Sequence, residues 1–248
     1  MVLPELHIGT SGWSYKHWSG IFYPEGTKPD KYLEFYASRF GCVELNSCFY
    51  HLPLKSTVAG WTRRTGADFR FCPKLSRLIT HQMKLSGIHE PLHNFFSVFE
   101  GMKDRLGPIL IQLPPGLVYD RSLIVNFLDL LNEKHHQYRI AFEVRNPSWI
   151  NDEFLDMLSN TGAGFVIADS GGRYPYSEAV TADFVYLRFH GREQLYASDY
   201  SLDDLKYFAQ RISIWLGEER EVWVFFNNDF HGFAIKNASQ LIELTGQI

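Results

Sequence analysis

The sequence predicts a (β/α)8 barrel, a parallel sheet closed on itself with helices outside. Short apolar runs alternate with amphipathic helical patterns from end to end, as a parallel sheet covered by helices requires. Eight such runs fit into 248 residues, close to the roughly 250 that one such barrel takes. No GxGxxG follows the first run, which counts against an open dinucleotide-binding sheet. No low-complexity linker divides the chain, so residues 1–248 are expected to form a single barrel domain.

The predicted strands, in order, are Leu6–Thr10, Cys42–Asn46, Phe69–Lys74, Ile109–Leu113, Arg139–Arg145, Gly164–Asp169, Phe184–His190 and Glu221–Asn227. Helices are expected where apolar residues recur at i, i+3, i+4, i+7: Leu33, Tyr36, Ala37 and Phe40; Ile124, Phe127, Leu128 and Leu131; Leu205, Phe208, Ala209 and Ile212. Ser201 with Asp204 reads as a capping box, and Asp30 and Asp120 stand at N-cap positions. The sixth unit is the weak one, because Ser170-Gly171-Gly172-Arg173-Tyr174-Pro175-Tyr176 leaves little room for a helix before the next strand.

Composition narrows the class. A hydrophobic content of 45% and a charged content of 21% are ordinary for a globular protein, whereas 16% aromatic is high. A net charge of −4 argues against nucleic-acid binding through bulk charge, although a local basic groove fits within it. Three cysteines, Cys42, Cys48 and Cys72, show no CxxC pair or zinc spacing and suit a reducing compartment. No signal-peptide pattern and no apolar run of about 20 residues is present, so a cytoplasmic protein without membrane partners is expected.

Side chains alternate faces along a strand, so parity sorts those that enter the barrel. In the fifth strand Ile140, Phe142 and Val144 suit the helical layer, leaving Ala141, Glu143 and Arg145 inward. In the seventh, Val185, Leu187 and Phe189 face out while Tyr186, Arg188 and His190 face in. The same test turns Glu44, Asn46, Lys74, Gln112 and Asn227 inward, and leaves Asp169 ambiguous beside Ile167 and Phe165. These residues gather at the C-terminal strand ends, where such barrels build their active sites. Burying that many charges costs several kcal/mol unless they are paired or used.

Ordered motifs add a resemblance. They run from His7-Ile8-Gly9-Thr10-Ser11-Gly12-Trp13-Ser14-Tyr15 through Val43-Glu44-Leu45-Asn46, Phe71-Cys72-Pro73-Lys74, Ile79-Thr80-His81 and Gln112-Leu113-Pro114-Pro115. They continue with Phe142-Glu143-Val144-Arg145, Tyr186-Leu187-Arg188-Phe189-His190-Gly191 and Phe226-Asn227-Asn228-Asp229. Over nearly its whole length the chain resembles the YecE-like family, domain of unknown function 72. The resemblance implies a TIM-like barrel and no established activity.

Lys74, Arg145 and Arg188 on one rim suit a phosphate or carboxylate, with backbone N–H groups near Gly191 and Gly232 as further donors. Glu44 and Glu143 are the candidate acid and base, and His190 the candidate proton shuttle, with His81 a weaker one. Lys74 as a Schiff-base nucleophile requires a desolvated, neutral amine, which two nearby carboxylates oppose. Asn46, Gln112 and Asn227 are placed to orient hydroxyl groups. Loop aromatics (Trp13, Tyr15, Trp18, Phe49, Tyr50, Trp149, Tyr196, Tyr200) offer stacking surfaces, Trp13 and Trp149 foremost with Tyr15 beside them.

The leading expectation is an enzyme, of hydrolase or lyase/isomerase type, acting on a small anionic sugar- or nucleotide-like ligand. A metal-dependent phosphoesterase or nuclease related to endonuclease IV is the alternative, with Glu44, Glu143, Asp169 and His190 as metal ligands. Rim cations oppose it, and no cofactor is strongly implied. A non-catalytic barrel binding nucleic acid or a regulatory ligand is the third reading, and oligomeric state is left open.

Overall fold

The computed structural model describes residues 5–246; residues 1–4 and 247–248 of the expected 1–248 unit lie outside the described residues. Eight strands run in one direction: β1 (Leu6–Ser11), β2 (Cys42–Leu45), β3 (Arg70–Pro73), β4 (Ile109–Gln112), β5 (Ile140–Glu143), β6 (Gly164–Asp169), β7 (Phe184–Phe189) and β8 (Glu221–Phe226). They pair in the order β3-β2-β1-β8-β7-β6-β5-β4, every named pair parallel. The ring is nearly closed. At its seam β3 and β4 are joined by isolated bridges, Phe71 to Leu106 and Lys74 to Leu110, with backbone bonds from Gly107 N to Phe71 O (2.9 Å) and Leu75 N to Leu110 O (2.8 Å).

The helices among the described residues are α1 (Tyr32–Ala37), α2 (Ser47–Tyr50), α3 (Lys55–Arg63), α4 (His89–Phe99), α5 (Arg121–His135), α6 (Asp152–Thr161), α7 (Leu202–Gly217) and α8 (Phe233–Leu244). The predicted helical stripes are where burial falls: Leu33 and Tyr36 on α1, Ile124, Phe127 and Leu131 on α5, and Leu205, Phe208 and Ile212 on α7. Each fully buried Leu, Ile or Phe stabilises the layer by about 1.5–3 kcal/mol. Asp120 caps α5 by accepting from Leu123 N, and Ser201 with Asp204 forms the reciprocal capping box of α7. Asp30 is no cap; it lies inside a 3-10 turn (Pro29–Lys31) that runs into α1.

The sixth unit lacks a helix: residues 170–183 return directly to β7. Thr181 substitutes for helical packing there, its hydroxyl donating to Ala163 O (2.7 Å) and accepting from Phe165 N (2.8 Å). No helix among the described residues is long and apolar enough to cross a membrane.

Alternation along the strands makes two cores. Val43, Phe71, Ile111, Phe142, Ile167, Leu187 and Val224 pack against the helices. Cys42, Cys72, Leu110, Ala141, Val166, Tyr186, Trp223 and Phe225 fill the barrel itself. Above this inner apolar layer, toward the C-terminal ends, the inward positions turn polar.

Candidate functional site at the C-terminal barrel mouth

Each strand delivers its inward residue at the height where the apolar filling stops. β2 supplies Glu44, β4 Gln112, β5 Glu143 and β7 Arg188; Lys74, His190 and Asn227 come one residue after β3, β7 and β8, and Arg145 two after β5. The mouth has two chemically unlike halves.

In the first half all charged atoms are paired. Glu44 Oε1 accepts from Ser11 Oγ (2.6 Å) and Arg188 Nη2 (2.7 Å), while Oε2 accepts from Tyr186 OH (2.9 Å) and Arg188 Nε (2.9 Å). The remaining Arg188 nitrogen, Nη1, donates to Glu143. Burial disfavours the charge on Arg188, but Glu143 and Glu44 outweigh it and hold the guanidinium more firmly protonated than usual. Arg188 is expected from sequence to grip a ligand anion; instead its donors are spent on two protein carboxylates.

In the second half donors outnumber acceptors. Arg145 uses Nη2 for Glu143 Oε1 (2.6 Å), but its buried Nε and Nη1 have no partner among the described residues. Its guanidinium lies 3.4 Å from the centre of the Tyr174 ring. Lys74 Nζ donates to Gln112 Oε1 (2.7 Å) and sits 4.1 Å from the Phe49 ring centre, and no carboxylate among the described residues pairs with it. Burial, then Arg188, push the Lys74 ammonium down to about 7, against the opposing pull of Glu143 and Glu44. The two carboxylates expected from sequence to oppose a neutral amine do favour its charge, but they are bound to arginines, and burial pulls the other way.

Glu143 joins the halves. Burial pushes its carboxyl up, but Arg145, Arg188 and His190 outweigh this and hold it well below the usual range. His190 Nε2 lies 2.9 Å from Glu143 Oε1, and Asn227 Nδ2 lies 3.1 Å from Nδ1. Asn227 donating to Nδ1 assigns the ring proton to Nε2. Burial lowers the imidazole to about 4 despite Glu143, so at neutral pH His190 is an uncharged ring with both nitrogens engaged. That arrangement orients Glu143 better than it shuttles protons.

Two loops roof the open half. Tyr174 stands edge-on to His190 (5.8 Å between ring centres), as does Tyr196 (5.6 Å), and their hydroxyls meet at 3.1 Å. Gly171 (φ +60°) and Gly191 (φ +90°) turn these loops; a Cβ would stand 2.0 Å from Arg192 O at the first and 2.6 Å from Gln194 O at the second. Tyr174 was legible as a loop aromatic after a Gly-Gly pair, yet nothing local points it at Arg145. Ser11, another residue that parity of β1 could have found, lies on the inward face with Gly9.

Between the loops after β1 and β2 lies a hollow of about 310 Å³ walled by Trp13, Tyr15, Tyr50 and Trp61. Asn46 lines it with a buried Oδ1 that has no partner. Trp61, not recognised from sequence, meets Trp13 edge to face at 5.6 Å. Tyr50 packs on Phe49, the ring that covers Lys74, so the hollow adjoins the open half of the mouth.

Other expected residues lie elsewhere. Asp169 follows the outward parity of Ile167 and binds Arg192 (2.8 Å) and Tyr200 OH (3.0 Å), away from Glu143, so the metal set Glu44, Glu143, Asp169 and His190 does not assemble. Cations already occupy both glutamates. The one group of three potential ligand residues within mutual reach among the described residues, Glu5, His7 and Glu221, is at the opposite end of the barrel, where Arg139 pairs with Glu221. Trp149 is fully buried with its indole N–H donated to Leu117 O (2.7 Å), and so offers no stacking face. The amides of Gly191 and Gly232 are taken by Tyr200 OH and Asp229 O. His81 sits on a π-helical turn (Leu78–Gln82) after β3; burial and then Lys74 lower it to about 4.

Comparison with known proteins places this geometry in a family. The model of the family described as "Protein of unknown function DUF72" matches residues 7–248. The UPF0759 protein YecE of Escherichia coli K12 is 30% identical over 184 residues, 71% of this chain, but that match spans only 64% of YecE itself. The UPF0759 protein YunF of Bacillus subtilis is 24% identical over 96% of this chain and 94% of its own. A DUF72 family protein from Thermotoga maritima superposes with a TM-score of 0.87 at 32% identity, covering 98% of this chain and 99% of that one. A second, from Enterococcus faecalis, gives 0.81 at 22% identity and supports the fold alone. Motif order, barrel and family model agree: the chain belongs to the DUF72 (YecE-like) family.

Proposed function

We propose that the protein is an enzyme that binds a small phosphate- or carboxylate-bearing molecule, sugar- or nucleotide-like, in the open half of the barrel mouth. One observation carries this reading. Arg145 is 6% exposed, and two of its three guanidinium nitrogens are buried without a partner. A buried donor left unmade costs about 1–3 kcal/mol, more when charged, and an oxyanion oxygen placed on the Nε–H or on the Nη1–H would satisfy it. Gln112, Asn46 and the Trp13–Tyr50–Trp61 hollow supply a neighbouring surface for hydroxyls and a flat ring face. A small molecule fits better than a polymer, because Tyr174, hydrogen-bonded to Tyr196, lies over the Arg145 guanidinium. The donor chemistry of the mouth, two carboxylates already bound to guanidiniums, also favours an anion over a divalent metal.

The test is anion binding by wild-type protein and by Arg145→Met. Inorganic phosphate, citrate or a sugar phosphate is expected to raise the melting temperature of the wild type. Losing charge-assisted bonds worth about 1.5–3 kcal/mol weakens binding at least about tenfold in the variant. Equal shifts in both proteins would overturn the reading.

A further inference from the structure

Resting on the anion reading above, we infer that Lys74 is a covalent residue: its amine forms an imine with the carbonyl carbon of an anionic aldehyde, ketone or keto acid held by Arg145. The reasons begin with geometry. Lys74, Gln112 and Glu143 stand on three adjacent strand ends, with Lys74 bridged to Leu110 and Gln112 in register with Glu143. Lys74 is 8% exposed, yet among the described residues its one hydrogen-bond acceptor is the neutral amide oxygen of Gln112. A buried ammonium without a carboxylate is costly, and a neutral amine in the same place is not.

The groups around it favour the neutral form on balance. Arg188 of β7 and Arg145 after β5 repel a proton on Nζ, and burial works the same way. Glu44 of β2 and Glu143 of β5 attract one, and the Phe49 ring of α2 favours a cation. His81 of the π-helical turn lies near enough for Lys74 to lower it, as does the exposed Arg77 just before that turn. The resulting value of about 7 leaves roughly half the amine unprotonated at neutral pH, against roughly one in a few thousand for an ordinary lysine near 10.4. Such desolvation beside cations is how amines become nucleophiles. Single-turn π-helical segments also occur frequently at functional sites.

The step balances without an added oxidant or reductant. The Nζ lone pair forms the C–N bond as the carbonyl π electrons move to oxygen, giving a carbinolamine. The two amine hydrogens then leave with that oxygen as water, and the C=N bond remains. Arg145, by holding the anionic end, fixes which carbonyl carbon meets Nζ.

The experiment is trapping with sodium cyanoborohydride, whose hydride reduces the imine to a stable secondary amine. Probes are pyruvate and glyceraldehyde 3-phosphate, with uncharged hydroxyacetone as comparison, followed by peptide mass spectrometry. At pH 7, Lys74 is expected to gain the probe's mass less one oxygen atom, at least tenfold more than any exposed lysine. Lys74→Met loses this label, and Arg145→Met loses it for the two anions but keeps it for hydroxyacetone. Absence of selective labelling at Lys74, with phosphate still raising the melting temperature through Arg145, overturns the imine and leaves the anion reading standing. Equal labelling of Lys74 by all three probes in both wild type and Arg145→Met supports the reactive amine and overturns anion selection.

Discussion

The two halves of the barrel mouth are built from the same residue types and behave oppositely. Around Glu44 and Arg188, three guanidinium nitrogens and two carboxylates close on one another, and nothing is left over for a ligand. Around Arg145 and Lys74, two guanidinium nitrogens and an amine face a Tyr ring and a Gln oxygen. The lesson is that charge identity does not separate scaffold from site; saturation does. A paired buried charge holds the barrel, whereas a buried donor without an acceptor is a place for something else.

The largest effect should come from breaking the saturated half. Arg188→Met leaves Glu44 and Glu143 buried without their shared cation and is expected to destabilise by about 3–5 kcal/mol, a large share of a stability of about 5–15 kcal/mol. Urea denaturation measures it. Arg145→Met, which removes one bond to Glu143 and two donors without partners among the described residues, while Arg188 still holds Glu143, should move the midpoint less, and a loss as large as that of Arg188→Met would erase the distinction between the halves.

A smaller effect is carried by pH. The folded Lys74 value of about 7 lies below its ordinary 10.5, so between these values the unfolded chain binds a proton that the native state does not. Stability should therefore rise with pH across that window, and the full penalty should be present below about pH 7. Lys74→Met abolishes this contribution, and the difference in stability between the two proteins should shrink from pH 7 toward pH 10. A pH-independent difference would show that the amine stays charged.

The smallest effect concerns the roof. Tyr174→Leu removes the ring stacked on Arg145, an interaction worth about 0.5–2 kcal/mol. Since the ring roofs this guanidinium, its removal opens the approach, and phosphate affinity should increase a few-fold in calorimetric titration. Weaker binding in the variant would mean that the tyrosine serves the ligand instead of competing with it.

Much of this was legible from alternation alone. Ile140, Phe142 and Val144 against Ala141, Glu143 and Arg145 sort to the two sides of the sheet as a period of two demands. The missing sixth helix followed from a loop too short and too rich in glycine. What alternation does not carry is partnership. Asp169 could be placed outward by its neighbours Phe165 and Ile167, but its partner Arg192 arrives from the next loop, which no local pattern announces. Trp149 reads as a loop aromatic until a 3-10 turn (Pro147–Trp149) buries it. Lys74 is the sharpest case, because its surroundings, burial and two repelling arginines together with Phe49 and Gln112, are drawn from four other parts of the chain.

The Glu44–Arg188 pair also has a kinetic meaning. Its members are 144 residues apart, and Arg188 meets Glu143 across 45. Contacts so distant in sequence form late, after the loop-closure entropy between them has been overcome. A nascent chain that has made β1 to β6 has Arg145 for Glu143 but no guanidinium for Glu44, whose burial has to wait until β7 brings Arg188. Docking of β7 thus delivers the cation of the mouth together with a strand, before β8 joins β7 to β1, and a partly wound chain is disfavoured by its own unmatched carboxylate.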